Sequence, residues 1–206
     1  MTLAALVLCG GESRRMGRPK AWLPFGAETL LQRVVNILET VTDLIVVVAA
    51  PDQELPVLPA TARVVRDPVQ YQGPLQGLAS GLAALPDSVE LVYASATDAP
   101  FLQSRWVKRL EELIGENDLA IPHVGGYYHP LAALYRRSTV LPVIQELLAN
   151  DRMRPVFLVD AVKTRVVIEE EFRDIDPALA TLRNLNTTED YAQALRDAGL
   201  IATGGP

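Results

Sequence analysis

Continuous apolar runs that end at glycine or proline recur through the first half of the chain. Residues Leu3–Leu8 form one such run shortly before two glycines, and this pattern is typical of a strand buried on both faces of a parallel sheet. Three later runs show the same signal, namely Asp43–Ala50, Ala62–Val65 and Val89–Ser95. The pattern therefore predicts four strands here, with Leu3–Leu8 as the central one.

Apolar residues between these runs recur at helical spacing instead. This period predicts helices over Thr29–Leu38 and Leu75–Leu85. In the second half, the pattern predicts three helices and one strand, over Phe101–Ile114, Thr139–Asn150, Thr188–Ala198 and Leu131–Tyr135 respectively. Strands that alternate with helices predict a three-layer α/β fold with a mostly parallel sheet, joined by some antiparallel strand in the C-terminal half. Ligands of such folds bind at the carboxyl ends of the strands.

The length and composition favour a single globular domain over residues 1–206. The chain is 49% hydrophobic and 21% charged, so it can bury a core without disulfides or structural metal. Its 19 basic and 25 acidic residues give a net charge of −6, which argues against nucleic acid as a partner. A phosphate ligand must therefore be held by a local cluster of cations.

The single cysteine and the apolar start indicate the cellular setting. Cys9 has no second cysteine to pair with and offers no thiolate cluster for zinc or iron–sulfur chemistry, so any metal is expected to have oxygen ligands. The Leu3–Leu8 run has no basic segment before it and is followed by glycines and charged residues, unlike a secretion signal or a membrane span. We therefore expect a cytoplasmic protein without a membrane partner.

A glycine-rich, basic loop after the first strand is the most informative segment. Gly10 and Gly11 permit close approach of a ligand to backbone N–H groups. Four cations follow within seven positions, namely Arg14, Arg15, Arg18 and Lys20, enough to neutralise a triphosphate. The loop is not a Walker A motif, because Ala21 follows the lysine, and it has no G-x-G-x-x-G fingerprint. A plain turn with solvent-facing arginines is the alternative, and the position after a buried strand favours ligand binding.

This loop resembles the signature of a known family. Residues Leu8–Gly26 are similar to the pattern L-x-G-G-x-S-x-R-M-G-x-x-K-x-x-L-P of the MobA-like nucleotidyltransferases, specifically the molybdenum cofactor guanylyltransferases. The resemblance implies a Rossmann-like nucleotidyltransferase fold and transfer of GMP from GTP to the terminal phosphate of molybdenum-molybdopterin, with release of pyrophosphate. It also implies that the nucleotide is held by Leu8, Cys9, Gly10 and Gly11, and that Arg15 and Lys20 contact its phosphates as catalytic residues.

Further segments extend the resemblance over nearly the whole chain. The segment associated in the family with guanine nucleotide binding matches Asp67, Gly73, Pro74, Leu75 and Gly77. The segment Ala96–Pro100 resembles the metal motif of the family and implies that Asp98 is a catalytic residue that binds Mg²⁺. His129 lies in a segment that resembles the molybdopterin side, and Asn184 and Asn186 lie in a segment that resembles the closing N-x-N motif.

The resemblance divides the domain into two parts. Residues 1–100 are expected to bind mainly GTP and residues 101–200 mainly molybdopterin, whereas 203–206 are expected to form a disordered tail. His123, Tyr127 and Tyr128 are expected to line a pocket wall. Molybdoenzyme clients and other cofactor-biosynthesis proteins are the expected protein partners.

Departures from the family pattern leave alternatives open. Cys9, Pro19, Thr97 and Thr188 stand where the family usually has alanine, aspartate, cysteine and proline. Cytidylyltransferase relatives are also similar, but they typically have A-A-G in the first loop and lack the G-P-L-x-G segment. Transfer from CTP to molybdopterin or to a small phosphorylated alcohol is therefore one alternative. A non-catalytic adaptor that binds nucleotide and delivers the cofactor is another.

The main candidates also have structural interpretations. Asp98 has the position of an N-cap for the helix predicted to follow it, and Asp67 that of a turn residue before a proline. One of the two asparagines is expected to belong to the capping of the last helix. His129 is not needed for acid–base chemistry. Cys9 has nearby arginines that could lower its pKa, but the sequence shows no histidine partner for it, and it is expected to pack in the core.

Overall fold

The computed structural model describes residues 2–10, 19–67 and 73–201. The strands in these ranges are β1 (Leu3–Leu8), β2 (Pro24–Phe25), β3 (Glu28–Thr29), β4 (Ile45–Ala49), β5 (Ala62–Arg66), β6 (Leu91–Ala96), β7 (Leu119–Val124), β8 (Tyr127–Tyr128), β9 (Ala132–Arg136) and β10 (Thr164–Ile168). The α-helices are α1 (Leu30–Leu38), α2 (Pro74–Ala83), α3 (Ser104–Ile114), α4 (Arg137–Ala149), α5 (Leu158–Ala161) and α6 (Thr188–Asp197). No helix in this part of the chain is long and apolar enough to cross a membrane. The predicted tail, 203–206, lies outside the described residues.

The main sheet has the strand order β10-β7-β9-β6-β1-β4-β5 within the described ranges, and β8 pairs with β7. β1 lies inside the sheet and pairs in parallel with both of its neighbours, β4 and β6. β5 continues the parallel run beyond β4, whereas β9 is antiparallel to both β6 and β7. The prediction of a mostly parallel sheet with antiparallel strand in the C-terminal half is confirmed.

The apolar pattern does not predict β7, β10 or the short β2–β3 hairpin. β7 contains Pro122 and His123, which interrupt its apolar run, and β10 lies at an edge of the sheet where only Val167 among its five residues is buried. The predicted strands and helices are present, with ends that differ by a few residues. The largest difference concerns α3, which begins at Ser104 rather than at Phe101.

Helices cover both faces of the sheet. Ala5 and Val7 of β1 pack into the apolar cluster that contains α1 and α3, whereas Ala4 and Leu6 pack into the cluster that contains α2 and α4. All four side chains are fully buried. α2 lies so close to β1 that a Cβ atom at Gly81 would lie 2.8 Å from Cδ1 of Leu6. The predicted three-layer arrangement is therefore confirmed.

The order of the strands creates a crevice beside β1. The chain leaves β1 through α1 towards β4, and it leaves β6 through α3 towards β7, in the opposite direction along the sheet. Connections that diverge in this way leave a crevice between the two neighbouring strands, outside their carboxyl ends. The residues directly after β1 and β6 border this crevice. Because β9 is antiparallel to β6, it begins at the same edge of the sheet.

Candidate active site

Lys20 and Asp98 meet in the crevice between β1 and β6. Asp98 follows the end of β6 and is only 8% exposed. Lys20 begins a short 3₁₀ turn, Lys20–Trp22, in which the buried Ala21 anchors the backbone. The ammonium Nζ of Lys20 donates to Oδ2 of Asp98 over 2.5 Å. The fold thus brings two of the predicted site residues into direct contact.

Backbone hydrogen bonds hold Asp98 from two sides. The N–H and the hydroxyl of Thr97 both donate to the carbonyl of Leu8, over 3.2 and 3.1 Å, and they tie the end of β6 to the end of β1. The carbonyl of Asp98 accepts from the N–H of Leu185 over 3.0 Å, which ties it to the segment before α6. Gln103 is the N-cap residue of α3, so the interpretation of Asp98 as the cap of this helix is wrong.

The segment before α6 brings Asn186 to the lysine. Leu185 is fully buried in an apolar cluster with side chains of β2, α1 and α6. Residues on either side of a buried residue in an extended segment point the other way, and both Asn184 and Asn186 are exposed. Oδ1 of Asn186 accepts from Nζ of Lys20 over 3.3 Å. Lys20 therefore links Asp98 to the segment before α6.

The cap of α6 is made by neighbours of the asparagine pair. Thr187 is the N-cap residue and forms a capping box with Asp190. The carboxylate of Asp190 also accepts from the N–H of Asn186 over 3.0 Å, and this hydrogen bond is the main reason why the pKa of Asp190 is lowered. Capping therefore involves the backbone of Asn186, while its side chain contacts Lys20.

The end of β1 packs closely on its neighbours. A Cβ atom at Gly77 would lie 3.1 Å from Cδ2 of Leu8, so glycine at this position allows α2 to approach the strand. The N–H of Cys9 donates to the carbonyl of Val48 over 2.8 Å, and Gly10 is exposed directly after it. Burial raises the pKa of Cys9, and this effect exceeds the lowering effect of a nearby arginine. Cys9 therefore packs in the core as predicted.

Asp67 lies at the end of β5 and contacts the later part of α2. The N–H of Asp67 donates to the last carbonyl of β4 over 2.8 Å, and its Oδ1 accepts from the hydroxyl of Ser80 on α2 over 3.2 Å. Gly73 is the N-cap residue of α2 with a φ of +86°, Pro74 follows at the first helical position and Leu75 is buried. The first N–H groups of a helix lack partners within it and attract anions or acceptors. The end of β5 therefore offers a carboxylate, and the start of α2 offers backbone donors.

His129 lies at the same edge of the sheet, just before β9. Its N–H donates to the carbonyl of Pro122 over 3.0 Å, and its Nε2 lies 3.3 Å from the carbonyl of Val124. Burial is the main reason why the pKa of His129 is lowered from its usual value of 6.5. The side chain is therefore neutral at pH 7.

The β7–β8 hairpin places aromatic rings near His129. Gly125 and Gly126 form its turn with φ angles of +59° and +82°. Tyr127 follows and is 74% exposed, while the rings of Tyr128 and His123 lie with their centroids 4.7 Å apart. These residues lie on the side of β9 away from β1, and their role in a pocket wall stays a prediction.

Two of the predicted site residues have no described position. Gly11 and Arg15 lie outside the described residues.

Gln53 was not predicted as a site residue, yet its carboxamide donates to the carbonyl of Cys9 and accepts from the N–H of Ala50, both over 3.1 Å. It lies in a proline-rich stretch without apolar periodicity, and nothing in that pattern indicates such a contact.

The residues around Asp98 fit a divalent metal ion that is held partly by phosphate. Within the described ranges, no group of three or more histidine, cysteine, aspartate or glutamate residues is placed to hold a metal. A lone carboxylate suits Mg²⁺, because this ion keeps several waters and binds one or two carboxylates together with phosphate oxygens. The partner of Asp98 is a flexible lysine, whose ammonium also suits phosphate. A metal–nucleotide complex can therefore replace this ion pair without leaving either charge unpaired.

The sequence itself decides the family. A profile of the MobA-like NTP transferase domain matches residues 5–164. The chain belongs to this family. A relative from Mycolicibacterium paratuberculosis, named "Probable molybdenum cofactor guanylyltransferase", is 38% identical over 195 residues, which cover 92% of this chain and 93% of the relative. The predicted family is confirmed.

Solved structures share the fold of this MobA-like protein. Molybdopterin-guanine dinucleotide biosynthesis protein A from Archaeoglobus fulgidus gives a TM-score of 0.79 at 20% identity, with 96% of this chain and 100% of that chain covered. The 2-C-methyl-D-erythritol 4-phosphate cytidylyltransferase from Thermus thermophilus gives 0.73 at 19% identity, with 97% and 100% covered. These likenesses concern the fold alone, and they confirm a nucleotidyltransferase fold. Nucleotidyltransferases of this family generally act with a divalent metal ion.

Proposed function

We propose that this MobA-like protein is a molybdenum cofactor guanylyltransferase, which transfers GMP from GTP to the terminal phosphate of molybdenum-molybdopterin. The observation that carries the proposal is the contact between Lys20 and Asp98 in the crevice of a nucleotidyltransferase sheet. The name of the 38% identical relative supports the choice of substrates. The products are pyrophosphate and the guanine dinucleotide form of the cofactor.

The reaction needs positioning and charge neutralisation more than proton transfer. An oxygen of the terminal phosphate of molybdopterin attacks the α-phosphorus of GTP in line, and the bond from this phosphorus to the β-phosphate oxygen breaks with release of pyrophosphate. The attacking oxygen is already ionised, so a general base is not required. Lys20 leaves Asp98 and donates to phosphate oxygens, where it offsets the charge that develops on the pyrophosphate. Arg15 is proposed to contact the same phosphates.

Asp98 is the proposed ligand of Mg²⁺. When bound, the ion neutralises phosphate charge and aligns the reacting groups. The chain contributes a carboxylate that is fixed before the nucleotide arrives, because Thr97 holds the preceding backbone to β1 and Leu185 holds the carbonyl of Asp98. Asn186 can then retain Lys20 near the crevice after the lysine has left Asp98.

The nucleotide base and ribose are proposed to lie at the corner of β5 and α2. Asp67 is held there by Ser80, and its carboxylate can accept from a ribose hydroxyl or from the N–H groups of guanine. Gly73 is the N-cap residue of α2, and Pro74, Leu75 and Gly77 follow in its first turn. Pro74 has no N–H and Gly77 donates to the carbonyl of Gly73, so among these three residues the N–H of Leu75 is the one that can donate to a base carbonyl. Leu8, Cys9, Gly10 and Gly11 would hold the nucleotide from the side of β1.

The second substrate is proposed to enter from the other side of Asp98. His129, Asn184 and Asn186 belong to elements that lie beyond β6 from the nucleotide corner or that close the crevice. The amide side chains offer donors and acceptors to a pterin, while neutral His129, whose Nε2 faces the carbonyl of Val124, offers Nδ1 as an acceptor. None of these groups is required to change its protonation state during the transfer.

Release of pyrophosphate with each nucleotide tests the proposal. With Mg²⁺ and molybdopterin present, we expect kcat/KM for GTP to exceed that for CTP or ATP by on the order of 100-fold. A preference for CTP would favour the cytidylyltransferase alternative instead. Binding of GTP without release of pyrophosphate in the presence of loaded cofactor would favour the adaptor.

A further inference from the structure

The carboxamide of Gln53 joins the ends of β1 and β4 at the edge of the crevice. Its Nε2 donates to the carbonyl of Cys9 over 3.1 Å and also lies 3.3 Å from Sγ of Cys9. Its Oε1 accepts from the N–H of Ala50 over 3.1 Å. We propose that Gln53 is a positioning residue that aims the N–H of Gly10 at the phosphates of the nucleotide. The identity of this ligand rests on the proposed function.

The direction of the Gly10 N–H follows from the hydrogen bonds of β1. Successive peptide groups of a strand point to alternate sides within the sheet. The carbonyl of Leu8 points to β6, where Thr97 donates to it. The carbonyl of Cys9 points to the β4 side, where Gln53 donates to it. The described chain has no cis peptide bonds, and in a trans peptide the N–H points away from the C=O, so the N–H of Gly10 points towards the β6 side.

The β6 side of Gly10 is the side of the charged crevice. Asp98 lies two residues after the end of β6, and Lys20 is bound to it. An N–H that points there adds a neutral donor next to a lysine, which is the arrangement that proteins use to bind phosphate oxygens. A carbonyl in the same place would repel phosphate. The orientation of this single peptide therefore decides whether the end of β1 attracts or repels the nucleotide.

Gln53 is needed because glycine does not fix this peptide by itself. Gly10 lacks a Cβ atom, so its backbone can adopt conformations that other residues avoid. Gln53 itself is anchored, since Nη1 of Arg66 donates to its carbonyl over 2.6 Å and to the carbonyl of Ala50 over 3.0 Å. With Oε1 bound to the N–H of Ala50, the amide nitrogen must face Cys9. Gln53 thus connects the ends of β1 and β4 through its carboxamide, and the end of β5 through its backbone carbonyl.

Two substitutions separate the donated hydrogen bond from packing. Gln53→Met keeps the length of the side chain and removes both hydrogen bonds, so we expect the Kd for GTP to rise about tenfold. Gln53→Glu keeps an acceptor for Ala50 but places a carboxylate against the carbonyl of Cys9. We therefore expect the Kd for GTP to rise about 30-fold at pH 8. At pH 5 the introduced carboxyl becomes protonated and can donate, so the rise should fall to about threefold. The exposed Gln145 of α4 offers a matched control, because Gln145→Glu adds the same charge at a position outside the proposed site.

An NMR signal reports directly on the Cys9–Gly10 peptide. Cys9 is the only cysteine, so labelling with ¹³C′-cysteine and ¹⁵N-glycine gives one coupled signal, from the Cys9–Gly10 peptide. We expect the carbonyl shift to change in both variants of Gln53, and the Gly10 N–H signal of the wild type to move downfield when GTP and Mg²⁺ are added. If the wild type binds GTP and both variants bind it equally well with the same Gly10 shift, the role of Gln53 is refuted while the proposed function stands. If the wild type does not bind GTP, both are refuted.

Discussion

The two halves of the carboxyl edge of the sheet differ in their chemistry. On one side, the crevice between β1 and β6 contains the ion pair of Lys20 and Asp98, which we call the charged half. On the other side, the edge formed by β9, β7 and β8 contains Tyr127, Tyr128 and His129, which we call the aromatic half. Burial lowers the pKa of His129, so this residue does not bring a positive charge to the aromatic half at pH 7.

This difference indicates which part of the two substrates each half can bind. A metal–triphosphate complex requires opposite charges that are close together and can exchange partners, as Lys20 and Asp98 can. A flat ring system requires exposed aromatic faces and few fixed charges, as Tyr127 provides with 74% of its surface exposed. We therefore propose that GTP occupies the charged half and that the pterin of the second substrate occupies the aromatic half. This assignment agrees with the predicted division into residues 1–100 and 101–200.

The largest effect is expected from the charged half. Asp98→Asn keeps the shape of the side chain but weakens the bond to Lys20 and the affinity for a metal ion, and Lys20→Ala removes the ammonium that neutralises the pyrophosphate. We expect kcat to fall by about 10²–10³-fold in each variant, because each loses charge stabilisation that grows in the transition state. Steady-state rates of pyrophosphate release measure this effect.

Exposed residues of the same types provide the controls for this comparison. Lys108→Ala on α3 and Asp43→Asn before β4 change the same charges at exposed positions, and both should leave kcat within about twofold. Near-normal turnover in Lys20→Ala and Asp98→Asn would contradict the mechanism. If these variants raised only the KM for molybdopterin, the assignment of the charged half to GTP would be wrong.

The next effect is expected from the aromatic half. Tyr127→Ala removes an exposed ring, so we expect the KM for molybdopterin to rise about tenfold, because stacking on an aromatic ring contributes on the order of 1–3 kcal/mol. The KM for GTP should not change. Two-substrate kinetics measure both constants, and Tyr127→Phe is the matched control because it keeps the ring. An equal rise in both KM values would show that the two halves are not separate binding regions.

The comparison also shows how far the sequence predicts the site. The buried parallel strands, the helices between them and the position of Asp98 after a strand follow from apolar patterns that local burial produces. The contact of Lys20 with Asp98 follows only from the resemblance and the order of the strands, because the two residues are 78 positions apart. Patterns alone do not predict which strand lies beside which.

The features that sequence patterns missed depend on long-range contacts. β7 and β10 pair with each other across about forty residues, and Pro122 breaks the apolar run of β7. Gln53 acts through a carboxamide in a stretch without periodicity. The start of α3 was predicted too early, because the apolar residues before Ser104 pack without being helical. Three-dimensional neighbours decide these features, and a single sequence does not display them.

A smaller effect is expected at the border between the two halves. Oδ1 of Asn186 contacts Nζ of Lys20, so Asn186→Ala should lower kcat/KM about three- to tenfold by removing one hydrogen bond to a charged group. Asn184→Ala is the matched control, since Asn184 is an exposed asparagine of the same segment. We expect this control to change the KM for molybdopterin but not the KM for GTP. Identical kinetic changes in the two variants would contradict a specific role of the contact with Lys20.

The smallest effect concerns the charge state of the aromatic half. The pKa of His129 is lowered in the folded protein, mainly by burial, so below pH 6.5 the unfolded chain binds more protons at this residue than the folded protein does. The stability that neutral His129 contributes is therefore fully present above pH 6.5 and is lost as the pH falls through the lowered pKa. Urea unfolding at pH 5 and pH 8 measures this loss, which should be smaller in His129→Gln than in the wild type. An equal loss in both proteins would mean that folded His129 accepts a proton as readily as the unfolded chain, and the aromatic half would then become positively charged in mildly acidic solution.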